Sequence, residues 1–134
     1  MVSQQTSPMV SNENFFPEQI VCLEHEGSCL YGEVIQISDS GSMFWLRPLM
    51  LASWAAGVAP QSGEPPEELY DLREGADLVW PMTGFRAAFD TEVIPLLAAL
   101  AGKEREPRYP ILAHRQLRLF VDRLWESQQK LNQE

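Results

Sequence analysis

A length of 134 residues accommodates one domain, and 45% apolar with 22% charged residues fits a soluble globular chain rather than a fibrous one. Nineteen acidic residues against ten basic ones give a net charge of −9, which repels phosphate backbones and argues against non-specific nucleic-acid binding. No apolar run reaches the roughly 18–20 residues that cross a bilayer. The N-terminus has neither the basic start nor the apolar stretch of a secretory signal, so the expected location is the cytoplasm.

Residues 1–17 are rich in Ser, Gln, Thr and Asn without a hydrophobic period, and read as a disordered arm ahead of a single domain over 18–134. Phe15 and Phe16 interrupt that texture and would pin the arm's end onto the domain or onto a partner. Ile20 to Leu23, then Leu30 to Ile37, then Met43 to Leu46 carry the β-branched and aromatic residues of strands. Glu26-Gly27 and Asp39-Ser40-Gly41-Ser42 separate them, so the pattern predicts an antiparallel meander. Gly32 inside the second strand marks a bulge or sharp bend. Pro48 cannot donate to a ladder, so the third strand is expected to end there or to lie on an edge.

Leu49 to Ala56 suits either a continued strand or a short helix. A Pro/Gly-rich loop follows, and Glu64 to Asp77 reads as a solvated acidic loop, with Leu78 to Trp80 a short final strand. Phe85 to Phe89 is expected to form a separate turn. Asp90 to Leu100 is helical, with Asp90 or Thr91 as cap, a start near Glu92 because Pro95 must stay within the first turn, and Gly102 just past the end. After a charged connector, Ile111 to Leu131 is the longest helix, its stripe Leu117, Phe120, Val121, Leu124 and Leu131 recurring at helical spacing. The fold class expected is therefore α+β: a small antiparallel β-sheet or partly open barrel followed by two C-terminal helices.

Charge is segregated. Residues 1–50 hold six acids and one base, residues 51–102 eight acids and two bases, and residues 103–134 five acids and seven bases. The last helix is thus the basic element of an acidic chain. Arg115, Arg118 and Arg123 either face the acidic body and solvent or form a docking surface for an acidic protein partner. Trp125, flanking the apolar stripe, either widens the buried face or stands in that interface.

Candidate chemistry is sparse. Cys22, His25 and Cys29 are a possible zinc set that only Glu24 or Glu26 would complete, a redox pair, or ordinary buried thiols. His114 lacks an orienting carboxylate that the sequence can show. No nucleophile elbow or phosphate-binding glycine loop occurs. A non-enzymatic reading without metal or cofactor follows.

Gln36-Ile37-Ser38-Asp39-Ser40-Gly41 resembles the Asp/Asn-x-Ser-x-x-Gly turn of PilZ domains, small β-barrels that bind cyclic di-GMP. Ser38 and Gly41 match, Gln36 departs, and no arginine pair precedes the turn, so the resemblance implies a barrel without its phosphate clamp. More broadly, Met43–Leu49, Asp71–Leu78 and Phe85–Leu97 resemble in texture a family of small cyanobacterial proteins of mostly unassigned function. Among these are accessory proteins of type IV pilus assembly that also suppress biofilm formation. That resemblance implies contact with an assembly ATPase and an Sm-like partner, and supplies no site residues. The expected function is an adaptor or assembly factor docking one or more proteins through the C-terminal helix, a second copy of the chain among the candidates. The alternatives are a ligand-sensing barrel, with the ligand between the sheet and the Pro-rich loop, and a small enzyme using the acidic segment and His114.

Overall fold

The computed structural model describes residues 15–102 and 109–132. Among them the strands are β1 (Ile20–His25), β2 (Ser28–Ile37), β3 (Met43–Ser53), β4 (Glu68–Asp71), β5 (Leu78–Pro81) and β6 (Phe85–Ala87). The helices are α1 (Asp90–Ala101) and α2 (Tyr109–Asn132). The α+β class and the order of sheet then helices match the expectation.

All pairings are antiparallel. β2 lies between β1 and β3, and β6 pairs with the other edge of β1. β4 and β5 share the far edge of β3, β5 along residues 43–46 and β4 along residues 50–53. The β1–β2 turn is Glu26-Gly27, both at positive φ, as a two-residue hairpin of matching twist requires.

The sheet must curl. Four strand spacings of about 4.8 Å would separate β5 from β6 in a flat sheet, about 19 Å. Four peptide steps join Pro81 to Phe85 and reach about 14 Å at most. A turn in which the Phe85 amide donates to the Met82 carbonyl shortens that reach further. Accordingly Phe44 of β3 and Phe85 of β6 meet edge to face, with ring centroids 5.2 Å apart. Phe15 packs edge to face on the same Phe44 ring at 5.3 Å, while Phe16 is exposed. The aromatic pair thus divides, one ring pinning the chain to the domain. Residues 1–14 of the expected arm lie outside the described residues.

Two bulges let one strand serve two cores. The β2–β3 register shifts between Tyr31/Gly32 and again between Val34/Gln36, which bears out the bend expected at Gly32. Leu49 is the extra residue at the first shift, so the facing pattern reverses across it. Leu46 points into the curled sheet and Leu51 does likewise, whereas Met50 and Ala52 point out. The inner core joins Val21, Leu23, Leu30, Val34 and Phe44 to Ala113, Leu117, Phe120 and Leu124 of α2. The outer core joins Cys22, Cys29, Tyr31 and Met50 to Val93, Leu96 and Leu100 of α1. The helices therefore sit on opposite faces.

Several local expectations are corrected. β3 does not end at Pro48 or lie on an edge; it runs on to Ser53, and Pro48 is fully buried. Pro48 falls at the bulge, between the residues that pair with β5 and those that pair with β4, where a ladder has least use for its missing N–H. Of the two readings left open for Leu49 to Ala56, the continued strand holds as far as Ser53. The acidic segment is not all loop: Leu69 and Tyr70 are buried on β4, because edge pairing and apolar burial outweigh the surrounding charge. Phe85 to Ala87 is a strand rather than a turn. Helix α1 begins at Asp90, with Phe89 at the N-cap in place of Asp90 or Thr91, and Pro95 lies beyond the first turn. Gly102 is right-handed, its amide donating to the Ala98 and Ala99 carbonyls. Residues 103–108 of the connector lie outside the described residues. Among the described residues no helix is long and apolar enough to cross a membrane.

Candidate functional site

Helix α2 presents the surface of greatest interest. At 100° per residue, its buried positions Ala113, Leu117, Phe120 and Leu124 form one line. The last three belong to the predicted stripe, Val121 is partly buried, and the Leu131 side chain lies outside the described residues. The opposite arc is exposed. Ile111, Arg118 and Trp125 follow one another at intervals of seven residues along one flank. Leu112, Leu119 and Arg123 occupy the other flank, and Arg115 lies between. Ile111, Leu112, Leu119 and Trp125 are all exposed large hydrophobics.

The four residues expected at a docking surface are thus all on the outward arc. Arg118 and Trp125 are brought into line, whereas Arg123 stands across the arc from them. None of Arg115, Arg118 and Arg123 makes an ion pair or hydrogen bond among the described residues. Among the described residues they do not lean on the acidic body. Trp125 is 51% exposed and touches Trp80 of β5 edge to face, centroids 6.4 Å apart. The indole is neither core nor free; one side is held and the other faces solvent. The sequence reading missed Ile111, Leu112 and Leu119. Their signal was present, as leucines and an isoleucine off the apolar stripe.

The second constellation lies under the start of α1. Glu92 is buried, yet each of its carboxylate oxygens is satisfied twice. Oε1 accepts from Arg86 Nη1 at 2.8 Å and from the Phe89 amide at 3.0 Å. Oε2 accepts from the Tyr31 hydroxyl at 2.6 Å and from Arg86 Nη2 at 3.0 Å. Burial pushes the Glu92 carboxyl up, but those four donors outweigh it and hold its pKa below the usual glutamate range. Burial, then the bond to Glu92, push the Tyr31 phenol well above its ordinary value. The guanidinium of Arg86, bonded to Glu92 and Glu24, stays charged. This network clamps α1 to β1, β2 and β6, and leaves Glu24 Oε1 without a hydrogen bond among the described residues.

Cys22 and Cys29 lie beside it, both fully buried free thiols on neighbouring strands. Contact with the Cys29 thiol, and burial next, push the Cys22 thiol far above its ordinary value, so as an isolated group it is a poor nucleophile. His25, expected as a possible third member, is on the other face of β1, its ring edge to face with Phe120 at 6.3 Å. Alternation along the strand separates it from the cysteines.

The remaining candidates resolve as local structure. Ser38 Oγ accepts from the Met43 amide at 3.1 Å and from the Ser42 amide at 3.3 Å, and Gly41 has φ +76°, so the PilZ-like string is a hydroxyl-stabilised turn. Asp71 accepts from Arg73, and Asp77 accepts from the Trp45 indole at 2.9 Å. His114 is exposed on α2 with no hydrogen bond or ion pair among the described residues, so none of their carboxylates orients it. A shallow cleft of about 510 Å³ lies between the β1–β2 hairpin and Gly57 to Pro60 of the Pro-rich loop, with Glu24 and Glu26 in its wall. No protein family, curated protein or solved structure matches the chain.

Proposed function

We propose that the protein is a non-enzymatic adaptor that docks an acidic partner protein across the outward arc of α2. The observation that carries this reading is the arc itself: four exposed apolar side chains interleaved with Arg115, Arg118 and Arg123, which have no acidic partner among the described residues. Exposed aromatic and arginine side chains are the groups that most often anchor protein interfaces. Their charge opposes that of the chain as a whole, so an acidic partner is attracted to this face and repelled elsewhere. The resemblance to pilus accessory proteins suggests a cytoplasmic setting with an assembly ATPase and an Sm-like protein as first candidates.

The test is affinity capture with the full chain and with Arg115→Glu/Arg118→Glu/Arg123→Glu. A partner retained by the first and lost by the second supports docking through α2. The same partner retained equally by both sinks it, and a chain that captures only its own copies points to self-association.

A ligand-sensing role is the second reading, favoured by the cleft beside the Pro-rich loop. Glu24 and Glu26 in its wall would repel phosphate, so a cyclic dinucleotide is a poor fit and a neutral or cationic ligand a better one. A rise in Tm with a cationic ligand and none with cyclic dinucleotides would support it.

A further inference from the structure

Three metal-ligating groups meet on the outer face of the β1–β2 hairpin. One donor atom each from Cys22, Glu24 and Cys29 lie within 4.8 Å of one another. Register places them there: Glu24 is directly opposite Cys29, and Cys22 shares a face with both because it precedes Glu24 by two residues. The sequence contains this trio at spacings of two and five residues, but it becomes a cluster only through the two-residue turn at Glu26-Gly27.

We propose that Cys22, Cys29 and Glu24 bind one zinc ion, with water in the fourth position. Zinc takes thiolate sulfur at about 2.3 Å and carboxylate oxygen at about 2.0–2.2 Å in a tetrahedron, so its donors stand about 3.3–3.8 Å apart. Donors already within 4.8 Å reach that separation by moving about half an ångström each. Two sulfurs and one oxygen form a soft, mixed set that suits zinc and disfavours magnesium or calcium.

The surroundings supply what such a site needs beyond its ligands. Arg86 donates through Nε at 3.2 Å and Nη2 at 2.8 Å, both to Glu24 Oε2. Glu24 Oε1 has no hydrogen bond among the described residues. A ligating carboxylate is commonly steadied in this way through its second oxygen. Arg86 is in turn fixed by buried Glu92. The thiols are fully buried and do not line the cleft; Glu24, 42% exposed, is the member of the trio that does, so ion and water must enter past its side chain. Binding converts two thiols to thiolates as the two Zn–S bonds form, and releases two protons to solvent. His25 does not take part, since it faces α2.

The test uses the full chain, reduced and chelator-treated, titrated with cobalt(II) as a coloured stand-in and then with zinc. Expected are one equivalent bound, a thiolate-to-cobalt charge-transfer band that zinc abolishes, and two protons released per zinc in calorimetry across buffers of different ionisation enthalpy. Cys22→Ser and Cys29→Ala should each remove the band. Glu24→Gln, at an exposed position that leaves the core intact, should weaken zinc binding by about tenfold or more. Circular dichroism separates loss of the site from loss of the fold, and Glu24→Gln decides the matter if a cysteine variant unfolds. No zinc retained through desalting, cobalt bound without the thiolate band, or zinc or copper(I) bound equally well by Glu24→Gln would each overturn the three-ligand site.

Discussion

The Tyr31 hydroxyl donates to Glu92 Oε2 at 2.6 Å, joining the middle of β2 to the first turn of α1 across 61 positions of sequence. Arg86, 28% exposed, completes the pair from β6, so three elements meet at one buried carboxylate. Truncating the cation leaves that carboxylate buried without its counter-charge. Arg86→Ala should therefore destabilise the fold by about 3 kcal/mol, the lower end for a broken buried pair because water reaches the guanidinium side. Tyr31→Phe removes one neutral donor from an oxygen that keeps another, and should cost about 1–2 kcal/mol. Urea unfolding of the two variants checks the order.

The same carboxylate sets an acid limit. Its folded pKa is depressed relative to an unfolded glutamate near ~4.3, so the unfolded chain binds the proton first as pH falls. The stability contributed by Glu92 is present in full above the unfolded value and is lost as pH drops through the folded one. Thermal unfolding between pH 7 and pH 3 should show that loss for wild type. Glu92→Gln should be less stable at neutral pH and should show a shallower acid slope.

The Leu46 side chain occupies the space beside Gly32 that a side chain would need. A Cβ added at Gly32 would lie 2.6 Å from Leu46 Cγ, and Leu46 is fully buried, so its side chain has no free space to move into. Gly32→Ala should destabilise by about 1–3 kcal/mol through overpacking. A double variant, Gly32→Ala with Leu46→Ala, should show strong non-additivity in the same unfolding measurement.

The two sides of α2 should answer differently to truncation. Phe120→Ala, on the buried line, should cost about 3–5 kcal/mol. Leu119→Ala, one residue away on the outward arc, should fall within about 0.5 kcal/mol of wild type. Trp125→Ala loses one edge-to-face contact with Trp80 and should cost about 0.5–1.5 kcal/mol. Charge reversal at Arg118 should leave Tm nearly unchanged while weakening partner capture, which separates docking from folding.

The sequence by itself determined the strands of the meander, their turns, the long C-terminal helix and its buried line. These follow from local causes: β-branched runs, a positive-φ dipeptide, and spacing of three and four residues. It also placed Arg115, Arg118, Arg123 and Trp125 on one basic element, because charge and helical period are both local. What the tertiary structure decided depends on pairing between distant residues. Pro48 could run through β3 only because a bulge and a change of partner strand coincide there. Leu69 and Tyr70 became strand only because β3 offered an edge to them. Glu92 passed for a helix-start acid until Tyr31 and Arg86 closed around it, and Cys22, Glu24 and Cys29 became one cluster only through hairpin register. Spacing along the chain says which face a residue takes within its own element. Which residue it meets there depends on how the elements pair and pack.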